Sequence, residues 1–146
     1  MRKAGFGLLL TALILASAYP LMAQGGTYGK YLTVADVEKA TGLTGVTVTE
    51  TDNQLKFKLK QTILQVQFQG QKVYKLNKET PGYVKAEISG VGEEAFIGPV
   101  VNLPYVLIFR QKDYCVRLTD YMDSDGKFVL TMDQLIALGK IIASRI

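Results

Sequence analysis

The chain has 146 residues, with 17 Lys and Arg against 13 Asp and Glu, one cysteine and no histidine. The missing histidine excludes Ser-His-Asp and Cys-His triads, the usual zinc sites and the commonest general acid–base group, and the single Cys115 excludes an internal disulfide. A formal charge of +4, with no basic cluster set among aromatic platforms, argues against a nucleic-acid partner.

Arg2 and Lys3 precede an uncharged apolar run from Ala4 to Ala18, followed by Tyr19-Pro20-Leu21-Met22-Ala23-Gln24. This order of basic, apolar and small residues predicts a cleavable secretory signal peptide, because the apolar run is shorter than the ~20 residues a stable span needs. Cleavage is expected after Ala23, with Ala16-Ser17-Ala18 as a competing site. The expected organisation is a signal peptide over 1–23, a glycine-rich flexible leader over 24–30 and a single domain over 31–146. Losing Arg2 and Lys3 halves the formal charge. The expected location is periplasmic or extracellular, with no stable membrane span after cleavage. Cys115 is far from the signal end, so no anchoring cysteine is expected there.

In chain order, Thr33 and Asp36 fit a capping box, and Val34, Val37 and Ala40 at helical spacing predict a short helix over 34–41, closed by Gly42. From Val46 the period becomes two. Val46 and Val48 open a β-prone run, and Leu55, Phe57 and Leu59 alternate with Lys56, Lys58 and Lys60. Past a tight turn, Leu64, Val66 and Phe68 alternate with Gln65, Gln67 and Gln69, so a hairpin should bury one face and show Lys and Gln on the other. A short helix is expected over 71–78 on Val73, Tyr74 and Leu76, ended by Pro81-Gly82.

Residues 83–88 alternate again, and Gly90-Val91-Gly92 turns the chain into Glu93-Glu94-Ala95-Phe96-Ile97. A loop rich in Gly98, Pro99, Asn102 and Pro104 follows, then a hairpin of Tyr105–Arg110 and Tyr114–Thr119 around Gln111-Lys112-Asp113. Thr131 and Gln134 form a second capping box, opening a helix with Leu135, Leu138 and Ile142 on one stripe. The sum is α+β: an antiparallel sheet of about five to six strands, covered on one face, with an N-terminal short helix, a middle short helix and a C-terminal helix packed on it.

Asp120, Asp123, Asp125 and Gly126 suggest a calcium loop, but in the register Gly126 sets, the first ligand position holds Tyr121 and the last, bidentate one Met132. These aspartates read as turn residues. Glu93 and Glu94, as neighbours in an extended segment, should point to opposite faces and form no acid–base pair. They read with Gly90 and Gly92 as a structural turn, one carboxylate reaching the turn amides. Cys115 reads as a small core group. No catalytic residue, metal or other cofactor is expected.

The candidates that remain are cationic and aromatic. Lys56, Lys58 and Lys60 on one strand face, joined by Gln65 and Gln67, suit an anionic polymer such as lipopolysaccharide or teichoic acid. Tyr105, Arg110, Lys112 and Tyr114 form a second candidate patch on one hairpin, tyrosine supplying rigid amphipathic contact area.

The series Leu32-Thr33-Val34-Ala35-Asp36-Val37-Glu38, Tyr83-Val84, Ser89-Gly90-Val91-Gly92-Glu93-Glu94-Ala95-Phe96, Leu107-Ile108-Phe109-Arg110, Arg117-Leu118 and the closing Leu135–Arg145 segment resembles small secreted bacterial envelope proteins of uncharacterised function. Its turn and last helix look like those of lipoprotein sensor-type domains with a PsbP/Mog1-like α/β/α arrangement. The resemblance implies a fold and carries over no catalytic residue. The expected function is a secreted or periplasmic non-enzymatic binding module for an envelope protein or an anionic envelope component. The alternative is an inhibitor of a secreted hydrolase, with the Gly98–Pro104 loop as its plug.

Overall fold

The computed structural model describes residues 26–100 and 103–146, apart from the side chains of 99, 100 and 103–105. The expected signal peptide and the Tyr105 side chain lie outside the described residues. Ten elements follow in order: α1 (Val34–Thr41), β1 (Thr47–Thr51), β2 (Gln54–Leu59), β3 (Thr62–Gly70), α2 (Lys72–Glu79), β4 (Ala86–Ile88), β5 (Glu94–Val100), β6 (Leu103–Gln111), β7 (Tyr114–Asp120) and α3 (Met132–Arg145). Among the described residues, no helix is long and apolar enough to cross a membrane.

The strands make one seven-stranded antiparallel sheet in the order β1-β2-β3-β7-β6-β5-β4. Two meanders meet where β3 pairs with β7, in a register that sets Val66 opposite Leu118. The count exceeds the expected five to six because both edges carry short strands, β1 of five residues and β4 of three. Each edge strand has one neighbour; β1 still alternates exposed and half-buried residues, whereas β4, with three residues, is too short to show a period.

The alternating residues of β2 and β3 turn Leu55, Phe57, Leu59, Leu64, Val66 and Phe68 into one apolar face on which α1 and α3 lie. Each such burial contributes about 1.5–3 kcal/mol. Both outer helices start on the expected capping boxes, Thr33 with Asp36 and Thr131 with Gln134. Helix α3 approaches closely at Gly139, where an added Cβ would stand 2.7 Å from Leu107 Cδ2 and 3.1 Å from Val91 Cγ1.

The expectation of a sheet covered on one face is corrected on β5–β7. There Phe96, Val106, Ile108 and Cys115 form a second buried cluster with Tyr74 of α2. The continuous run Val106-Leu107-Ile108-Phe109 is the corresponding signal, since a strand buried on both faces loses its polar alternation. Helix α2 buries Tyr74 and leaves Leu76 exposed, so its docking stripe differs from the one the Val73/Leu76 spacing predicts.

Chain packing also begins earlier than expected, inside the glycine-rich leader. Tyr28 stacks on Phe68 at 4.4 Å between centroids, and the Tyr28 and Gly29 amides donate to the two Glu50 carboxylate oxygens at 2.8 and 3.1 Å. Composition favours flexibility there, but one aromatic ring and one carboxylate hold the segment's end.

Candidate functional site

The half of the outer sheet face that no described element covers belongs to β1–β3. The register sets Thr47 opposite Lys58 and Thr49 opposite Lys56, then Lys58 opposite Ile63 and Lys56 opposite Gln65. Parity does the rest. Leu55, Phe57 and Leu59 point into the core, so Lys56 and Lys58 stand exposed on the other side beside the threonines. Together with Lys60 and Ile63 they line a groove of about 490 Å³, with no acidic residue in its lining among the described residues. Lys60 stands just past the strand, at the start of the expected tight turn between β2 and β3, with φ 49°. Ile63 is 44% exposed, an apolar element in this cationic surface.

The second candidate patch does not assemble. A two-residue turn sets Gln111 opposite Tyr114 and Arg110 opposite Cys115, so Arg110 and Tyr114 lie on opposite faces of the sheet. Tyr114 packs edge-on against Tyr28 and Phe68 at 6.3 and 6.2 Å, and burial pushes its hydroxyl pKa up. Lys112 occupies the turn with φ 48°, its Nζ donating to the Ile146 carbonyl at 2.6 Å. The backbone of Tyr105 belongs to β6.

Arg110 is consumed by an ion cluster beside α2. Its Nη1 stands 2.5 Å from Glu93 Oε2 and its Nη2 3.4 Å from Glu94 Oε1, while Lys78 Nζ stands 2.7 Å from Glu94 Oε2. Glu93 and Glu94 therefore do share a partner, against the expectation of opposite faces. Gly92, at φ 57°, bends the chain just before β5, so Glu93 precedes the regular pleat that separates neighbours. Glu93 also accepts from the Lys112 amide at 3.0 Å, rather than from the Gly90–Gly92 amides. The Lys78 ammonium holds the Glu94 carboxyl below its ordinary range, and burial pushes the Tyr74 hydroxyl up to about 12. A pocket of about 340 Å³ beside these groups is lined by Tyr74, Lys78, Glu94 and Arg110 among others. Lys78 and Arg110 are both committed to Glu94, while Lys72, which also lines the pocket, stands in no ion pair among the described residues.

The remaining sequence candidates serve the fold. Asp123 Oδ1 accepts from the Asp125 and Lys127 amides at 2.9 and 2.8 Å, which spends the carboxylate on its own turn. Among the described residues, no group of three or more His, Cys, Asp or Glu is placed to hold a metal. Cys115 is fully buried, and burial pushes its thiol up to about 11, so the thiolate that would react is scarce at neutral pH.

Sequence reasoning found the lysine row and missed the threonines beside it. The alternation of Thr47, Thr49 and Thr51 with Val46, Val48 and Glu50 was the available signal, but only the β1–β2 register sets a hydroxyl next to Lys56 and Lys58. No protein-family model matches this chain, and no curated protein or solved structure is significantly similar to it.

Proposed function

We propose that the chain is an exported, non-enzymatic binding module that holds an anionic envelope component on the lysine–threonine face of its sheet. One contrast carries this reading. Lys56, Lys58 and Lys60 stand in no ion pair and share one groove with no lining carboxylate among the described residues, whereas Lys72, Lys75 and Lys78 line a pocket with Glu79 and Glu94, and Lys39 and Arg145 line one with Asp36. Unpaired cations in a concave wall focus positive potential and attract an anion. The basic and apolar start of the sequence supports the exported location, and the commitment of Glu93 and Glu94 to Arg110 and Lys78 supports binding over catalysis.

The test is retention of the chain from Gln24 on anionic and on neutral envelope extract fractions, with Lys58→Glu as the variant and Lys127→Glu as a control of equal charge change. Retention on the anionic fraction should be lost with Lys58→Glu and kept with Lys127→Glu. Equal retention of all three proteins would refute the lysine face as the site.

A further inference from the structure

We infer that the groove is a seat for a linear polyanion, specifically a polyol-phosphate chain with one phosphodiester per six backbone bonds, laid along β2. This rests on the anionic-ligand reading above and adds the ligand's class and its register. The β1–β2 pairing makes two equivalent rungs, Thr47 with Lys58 and Thr49 with Lys56, each offering an ammonium and a hydroxyl on the same exposed face. Residues two apart in a strand are separated by about 7 Å. An extended chain of six single bonds has the bond count of two peptide residues and so also spans about 7 Å. Successive phosphates of such a chain therefore meet successive rungs, with Lys60 adding a third cation from the turn at the end of β2.

Two features narrow the class further. Among the described residues no acidic side chain lines the groove, so every charge they place on the wall favours the same sign of ligand. Among the described residues no aromatic ring lines it either, and the exposed Tyr121, tied to Gln65 Oε1 at 2.7 Å, stands outside the lining. Single-stranded nucleic acid has the same six-bond spacing but gains much of its affinity by stacking bases on aromatic faces, for which this wall has no platform. Threonine hydroxyls and the exposed Ile63 suit the hydroxyl and methylene groups of a polyol instead.

The experiment is calorimetric titration over a range of salt with four probes: a short poly(glycerol phosphate) chain, glycerol phosphate, an oligothymidylate with the same number of phosphates as the chain, and phosphatidylglycerol vesicles. The polyol-phosphate chain should bind more tightly than the other three. Each of Lys56→Gln and Lys58→Gln should flatten its log K against log salt by about 0.7. Gln54→Lys adds a rung at the same spacing opposite Thr51 and should raise affinity several-fold with a correspondingly steeper slope. Circular dichroism checks that each variant keeps its fold. Polymer bound no more tightly than the monomer, tighter binding of the oligothymidylate, or no gain from Gln54→Lys would overturn the inference. Lysine-dependent binding of vesicles without binding of the chain would overturn it and leave the proposed function standing. No lysine-dependent binding of any probe would overturn both.

Discussion

Asp36 and Arg145 stand 109 positions apart in the chain and meet in a two-pronged ion pair, Arg145 Nη1 donating to Asp36 Oδ2 at 2.5 Å and Nη2 to Oδ1 at 2.8 Å. The same Asp36 Oδ2 accepts from the Thr33 amide at 2.9 Å, so the carboxylate that caps α1 also ties it to the last turn of α3. The Arg145 guanidinium, with help from Thr33, lowers the Asp36 carboxyl to about 2.

Because that pKa is depressed, its stabilisation is present above the unfolded value near 4 and is lost as pH falls toward 2. Allowing for solvent screening at a partly exposed pair, Arg145→Met should cost about 1–2 kcal/mol at pH 7 and much less at pH 2. Urea denaturation at both values measures the difference.

Asp120 has the opposite sign. It is 1% exposed, its Oδ2 accepts from the Leu130 amide at 2.9 Å, and its Oδ1 has no partner. Burial raises its carboxyl to about 6, so the folded state holds a proton the unfolded chain has already released, and stability falls as pH rises from about 4 to 6. Asp120→Asn keeps an acceptor for Leu130 and should remove a pH-dependent loss of up to about 3 kcal/mol. Thermal denaturation across this window, with the wild-type slope unchanged in the variant, would contradict the account.

Gly139 sets the distance between α3 and the sheet. Gly139→Leu must displace Leu107 and Val91 and should destabilise by about 1–3 kcal/mol. Gly139→Ala should change stability little, because the gain of about 1 kcal/mol in helix propensity offsets the crowding. The two midpoints in urea decide it.

Arg110 separates structure from binding. Arg110→Met strands two carboxylates beside Lys78 and should lower stability by about 1 kcal/mol, while retention through Lys56 and Lys58 stays at the wild-type level. Loss of retention in a folded Arg110→Met protein would extend the site to β6.

The amino-acid sequence by itself determined what depends on neighbours a few residues apart. Thr33 with Asp36 and Thr131 with Gln134 start α1 and α3 through bonds spanning three positions, and the alternation around Phe57 and Val66 pairs β2 with β3 and turns Lys56 and Lys58 outward. Even the separation of Arg110 from Tyr114 follows from parity once the turn is known to have two residues. Only the tertiary structure decided which long-range partner each group receives: Arg145 for Asp36, Arg110 for both Glu93 and Glu94, Tyr74 over Phe96 and Cys115, and a threonine beside each of Lys56 and Lys58. Periodicity assigns a residue to a face. Its partner on that face is set by sheet order and register, which arise when separate apolar surfaces pack together and share one core.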